Sequence, residues 1–151
     1  MRTRYYAAAG GLVVRGGQLL LLHKHLKDEY VLPKGHIEAG ETALAAALRE
    51  TREEAGFTHL EVLANLGTLR GEFDLDGVHY QRVETYFLMR LVDDQRGSVG
   101  THDDAAHDQV TFNQLWVPVA DGPERLSFEP ARTFARRAAA WLKQHERQET
   151  R

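Results

Sequence analysis

The chain has 151 residues, a length suited to one domain with a core of its own. Its make-up of 42% hydrophobic and 27% charged residues is that of a globular protein, and a formal net charge of −3 offers no footprint for nucleic acid or an anionic membrane. The absence of cysteine excludes disulfides and thiolate metal sites, and no apolar stretch approaches the roughly 20 residues that cross a bilayer. The expectation is one cytoplasmic domain over residues 1–151.

The opening MRTRYYAAAGGLVV carries basic residues and a short apolar run. Gly10 and Gly11 interrupt that run and Arg15 follows it, so it reads as a strand and not as a signal peptide. AAAGGLVVRGGQLLLLHKH predicts two strands joined at Gly16–Gly17, a pair that readily supplies the positive φ angles of a tight hairpin. LKDEYVLPKG predicts a short strand leading into Pro33 and a loop. Thr42 to Ala55 is a predicted helix, with Gly56 in the usual place after its last turn. Leu60 to Leu91 is β-rich, with a turn over Asp74–Gly77. Asp93 to Gln109 is polar and reads as an exposed loop. QVTFNQLWVPV predicts the last strand. Pro130 then opens a helix whose Phe134, Ala138 and Trp141 recur at i, i+4 and i+7, and the charged tail at 147–151 is expected to fray. This order predicts an α/β fold, a mixed β-sheet sandwiched between α-helices.

The first helix carries the chemistry. Each helical residue turns about 100°, so with Glu50 at zero, Glu54 stands about 40° to one side and Glu53 about 60° to the other. On the same wheel Leu44, Leu48, Thr51 and Ala55 form the expected sheet-facing side, while Ala43, Ala46 and Ala47 flank the carboxylates and leave them uncrowded. Arg49, one turn before Glu53, is placed to hydrogen-bond to it. Two readings fit these residues. One is a solvated acidic face softened by Arg49 and Arg52. The other is a site for a hard cation such as Mg²⁺ or Mn²⁺, which carboxylates suit and which would reverse the sign of the repulsion.

The wider string adds to that. Gly35, Glu41, Arg49, Glu50, Glu53, Glu54 and Gly56 stand at the spacing G-x5-E-x7-R-E-U-x-E-E-x-G-U, with Thr51 where an Ile, Leu or Val is usual. With AAGGLVV and LPKG before it and FNQLWVPV after it, the sequence resembles the MutT-like Nudix hydrolases over nearly its whole length. The resemblance implies a Nudix fold and a Mg²⁺-dependent phosphoanhydride hydrolase (Mn²⁺ substituting) that acts on a nucleoside diphosphate linked to another group. It implies Glu50 and Glu54 as principal metal ligands, with Glu53 and the Gly35 carbonyl sharing in the coordination. Glu50 is then the first choice of general base, Glu53 assists, Arg49 orients the carboxylates, and Glu41 contributes through water.

LPKGHIEAGE together with LANLGTLRGEFDLDGVHYQRVETYFLM is similar to the diadenosine polyphosphate hydrolases, which place an aromatic residue about this far past the box. Phe73 stands there, keeping a ring for stacking adenine but lacking the hydroxyl of the usual Tyr. Lys34 is expected to meet a phosphate as a point charge and His36 to donate a hydrogen bond. Tyr86 and Phe128 are further candidates for base stacking, with core packing the competing role for Tyr86. His23, Lys24, His25 and Lys27 form a basic run that alternation divides between two faces. Many Nudix enzymes take a fourth acidic ligand from a later loop, for which Asp103, Asp104, His107 and Asp108 are the candidates. The expected partner is a nucleotide or dinucleoside polyphosphate, with no nucleic acid and no membrane, in a monomer or homodimer. Oxidised nucleoside triphosphates and diphosphoinositol polyphosphates are the alternative substrates, and a nucleotide-sensing module without turnover is the alternative class.

Overall fold

The structure is a computed structural model, and it describes residues 1–97 and 112–149. Seven strands form a single mixed sheet: β1 (Arg2–Arg15), β2 (Gln18–Lys24), β3 (Glu29–Val31), β4 (Lys34–His36), β5 (Leu60–Leu75), β6 (Val78–Leu91) and β7 (Phe112–Pro118). The main order is β3-β2-β1-β6-β5, with β4 paired to β1 and β7 paired to β2. Helix α1 (Ala43–Ala55) covers one face. A 3₁₀ turn (Val119–Asp121), the short α2 (Gly122–Arg125) and α3 (Ala131–Glu149) cover the other. No helix among the described residues is long and apolar enough to cross a membrane.

Alternation explains how one sheet serves two cores. In QLLLLHK, Leu20 and Leu22 pack with Val13, Phe87, Met89 and the alanines of α1, while Leu19 and Leu21 pack with Leu12, Leu88 and Phe134 of α3. All four leucines are fully buried, as expected of a strand covered on both sides. The hairpins fall where expected, at Gly16–Gly17 and at Asp76–Gly77, each with two successive positive φ angles. The expected α/β architecture with helices on both faces of a mixed sheet is the one observed.

Several local readings change. LPKGH is not simply loop: Lys34–His36 pairs antiparallel with Ala8–Gly10 as β4. The segment from Val119 to Arg125 was missed because its helices are too short to show a period. Helix α3 continues to Glu149, through most of the tail expected to fray. On α1 the buried residues are Ala46, Ala47, Thr51 and Ala55, while Leu44 is exposed. The sheet-facing side therefore includes the alanines and is rotated toward Glu50 and Glu54. Small side chains bring the helix close to the strands, and the carboxylates look toward β4 and not into open solvent.

Candidate active site

Thr42 caps α1 by accepting from the Ala45 amide at 3.1 Å, and Gly56 ends it at φ 82° with its own N–H on the Arg52 carbonyl. These caps fix the reach of the five acidic and basic side chains of the last two turns, Arg49, Glu50, Arg52, Glu53 and Glu54. Glycines then let three elements meet. A Cβ on Gly10 would lie 2.3 Å from the Pro33 carbonyl oxygen, one on Gly11 2.6 Å from the Thr51 hydroxyl, and one on Gly35 2.1 Å from the Glu50 carboxyl carbon. The AAGGLVV and LPKG segments are thus the packing solution that presses β4 against both β1 and the carboxylate of Glu50.

Arg49 is the hub. Its guanidinium donates from Nε and Nη2 to both oxygens of Glu41 (2.8 and 2.9 Å), from Nη1 to Glu50 at 2.7 Å, and from Nη2 to the His36 carbonyl at 3.0 Å. The expected Arg49–Glu53 pair is present but long, at 3.5 Å. Arg49 therefore aims Glu50 more firmly than Glu53, because Glu41 holds one edge of its planar fork. Glu41 accepts from Arg49 through both oxygens and from the Glu38 amide. Those two hydrogen bonds pull its carboxyl down to about 2, and the Glu41 bond pushes the Arg49 guanidinium well up.

Glu54 is different. Its Oε1 accepts the Lys34 amide at 3.0 Å, and burial, with the neighbouring Glu50 charge, pushes its carboxyl up to about 8 against the opposing pull of that hydrogen bond. A cation set beside a carboxyl so placed would favour its charged form. Among the described residues no three acidic or imidazole side chains are gathered into a ready cluster. The physical reason is repulsion: Glu50 turns to Arg49 and Glu54 to a backbone amide, each finding a protein donor. The oxygen-only donor set, the raised Glu54 and the Gly35 cradle filled by Glu50 fit a hard divalent cation.

Lys34 does not project its ammonium freely. Nζ donates to Glu84 at 3.1 Å, and Glu84 is 1% exposed. His36 gives its carbonyl to Arg49 and leans its ring on Tyr6, with centroids 4.7 Å apart. Phe73 stacks on Tyr80 at 4.9 Å and 12°. His36, Phe73, Tyr6, Tyr80 and Arg4 line a pocket of about 350 Å³ at one end of β1 and β6. Tyr86 cannot stack a base: it is 2% exposed, packs 4.6 Å from Phe134, and donates its hydroxyl to Glu84. Phe128 is 48% exposed before α3 and does not line the pocket around Phe73. Asp103, Asp104, His107 and Asp108 lie outside the described residues.

Sequence reading missed Tyr6, Tyr80 and Glu84. The period-two pattern of VHYQRVETYF was the available signal, since it sets Tyr80, Arg82, Glu84 and Tyr86 on one face. The parallel register that brings β1 beside them was not legible.

The NUDIX domain profile matches residues 4–142. The chain is 34% identical over 145 residues to the protein named mutator protein MutT4 of Mycobacterium tuberculosis, a match covering 89% of this chain and 55% of that protein. It is 33% identical over 129 residues to the RNA pyrophosphohydrolase of Ruthia magnifica, covering 78% of this chain and 72% of that one. Among solved structures, a C. elegans Ap4A hydrolase binary complex superposes with a TM-score of 0.69 at 23% identity, covering 91% of this chain and 98% of that chain, and supports the fold. With the box on α1 and the profile spanning nearly its full length, the chain belongs to the NUDIX domain family.

Proposed function

We propose that the protein is a cytoplasmic, divalent-metal-dependent pyrophosphohydrolase that cleaves diadenosine tetraphosphate to ATP and AMP. The observation that carries the substrate is the aromatic pocket. It opens on His36, the residue after Gly35, so the three-residue strand β4 is a wall shared by the carboxylate cluster and the rings. Gly35 abuts Glu50 on one side of that strand, while His36 contributes to the pocket on the other.

Mg²⁺, or Mn²⁺ in its place, would when bound neutralise phosphate charge and lower the pKa of the attacking water. Glu50, Glu54 and Glu53, with the Gly35 carbonyl, are the oxygens that would hold it. Glu50, aimed by Arg49, accepts the water proton. The water oxygen bonds to a phosphorus at one end of the chain, the anhydride bond on its far side breaks, and ATP leaves while AMP keeps the new oxygen. Phe73 and Tyr80 offer stacking surface worth roughly 1–3 kcal/mol per base, with little demand on base identity.

The similarity to a mutator protein and to an RNA pyrophosphohydrolase favours a second reading, pyrophosphohydrolysis of a nucleoside triphosphate or of RNA. A substrate panel with chromatographic separation of products decides. It compares kcat/KM for diadenosine tetraphosphate, oxidised and ordinary nucleoside triphosphates, capless RNA, ADP-ribose and diphosphoinositol polyphosphate. The dinucleotide is expected to lead, and Phe73→Ala to lower its use by up to about a hundredfold. A tenfold advantage for any other member of the panel would sink the dinucleotide assignment.

A further inference from the structure

On the face shared by Arg4, Tyr6, Ala8 and Gly10 of β1, the pairing register sets Glu84 and His36 beside Ala8, Lys34 and Tyr86 beside Gly10, and Arg82 beside Tyr6. Ala8 and Gly10 offer almost no side chain, so their longer neighbours meet over them. Glu84 Oε1 accepts from Lys34 Nζ at 3.1 Å and from the Tyr86 hydroxyl at 3.3 Å. Burial first, and then the Glu84 charge, hold the Tyr86 phenol in its protonated, donating form. Glu84 Oε2 lies 3.2 Å from Arg82 Nε without hydrogen-bond alignment, and neither atom has a hydrogen-bond partner among the described residues. The Arg82 guanidinium rests 5.1 Å from the centre of the Phe73 ring.

A carboxylate withdrawn this far from water is unfavourable unless it is paired, and an apolar residue would fill the position without that penalty. Its two cationic partners are not withdrawn to the same degree. Their side chains keep 32% and 20% exposure against 1% for Glu84, so the anion lies beneath and the cations face outward.

We propose that Glu84 is a positioning residue that pins the Lys34 ammonium and the Arg82 guanidinium side by side, making their outward N–H groups a phosphate-binding pair next to the aromatic pocket. This deepens the polyphosphate reading and rests on it. Lys34 spends one of three N–H donors on Glu84, and Arg82 turns its Nε edge inward, which leaves its two terminal nitrogens for a bidentate contact with phosphate oxygens. One anion against two cations leaves the group net positive, so the anchor does not cancel the attraction.

The test compares the wild type with Glu84→Gln, Lys34→Met and the double variant, each checked for folding by thermal unfolding. Binding of inorganic tripolyphosphate is read by calorimetry, and KM and kcat are read on whichever substrate leads the panel. Glutamine keeps the volume, but its amide nitrogen must face one of the cations or the tyrosine hydroxyl. The expected result is a rise of about tenfold in Kd and KM, the worth of one charge-assisted contact, with kcat changed less than about threefold. In the Lys34→Met background the same change is expected to raise Kd by less than it does in the wild type, since only the Arg82 half of the pair is left for it to release. Loss of negative charge alone predicts the opposite, tighter tripolyphosphate binding. A Kd that falls, or that stays unchanged in a folded Glu84→Gln variant, overturns the proposal. If Glu84→Gln does not fold, Glu84→Leu combined with Lys34→Met removes the pair together, and its Kd must be at least that of Lys34→Met alone; a lower one overturns the proposal. A wild type that hydrolyses no phosphoanhydride refutes the pyrophosphohydrolase reading, while the calorimetric comparison still tests Glu84.

Discussion

Replacing Glu54 by Gln separates folding from metal binding at one atom. In the metal-free protein, burial pushes the Glu54 carboxyl from its ordinary 4.5 up to about 8. A carboxyl raised in the folded state binds its proton more tightly there than in the unfolded chain. Its contribution to stability is therefore fully present below pH 4.5 and is lost as pH rises toward 8. Each pH unit in that window costs about 1.4 kcal/mol, so by pH 7 the metal-free wild type has lost roughly 3 kcal/mol. Glutamine is neutral throughout, and its carbonyl oxygen can still accept the Lys34 amide that Glu54 accepts at 3.0 Å. Glu54→Gln is therefore expected to unfold about 6–12 °C above the wild type at pH 7 in the presence of a chelator, with the gap closing toward pH 4.5. Mg²⁺ is expected to raise the melting temperature of the wild type and not of the variant, and to release a proton from the wild type on binding. Activity of the variant should fall on the order of a thousandfold. Thermal unfolding across pH 4.5–8, with and without metal, reads all of this. A variant less stable than the wild type, or a gap that does not change with pH, would refute the account of Glu54 as a desolvated carboxyl waiting for a cation.

Arg49→Lys keeps the charge but cannot span Glu41, Glu50 and the His36 carbonyl together, so kcat is expected to fall about 10–100-fold with KM nearly constant. A rise confined to KM would make Arg49 a substrate ligand. Thr51 is fully buried and its hydroxyl has no hydrogen-bond partner among the described residues. Thr51→Val removes that orphan at almost unchanged volume and is expected to stabilise by about 1–2 kcal/mol in denaturant unfolding, without altering kcat; a loss of stability would mean that the hydroxyl has a partner after all.

The box was legible because helical periodicity and chain spacing are local properties: Glu50, Glu53, Glu54 and the Gly56 cap follow from α1 alone. Which side of α1 meets the sheet was not legible. Alanine is indifferent on a wheel, and only the close approach over Gly10, Gly11 and Gly35 makes Ala46 and Ala47 the contact and turns Glu50 inward. Strand β4 is three residues long and exists because β1 offers it an edge, so nothing within LPKGH announces it. The aromatic pocket and the Glu84 cluster are products of tertiary register. Tyr6 meets Arg82 and Tyr80 only through the parallel β1–β6 pairing, and Lys34 reaches Glu84 across fifty residues. Thr51 carried a visible sign, a polar residue on the core side of the wheel, and the structure buries it there with its hydroxyl unsatisfied among the described residues.

Hydrolysis of diadenosine tetraphosphate in ¹⁸O-water at saturating Mg²⁺, with products separated and weighed by mass spectrometry, tests the central claim most directly. The account predicts equimolar ATP and AMP, one ¹⁸O in the AMP phosphate, and loss of turnover on chelation. Two ADP molecules, turnover that survives chelation, or no cleavage by the folded protein would contradict it.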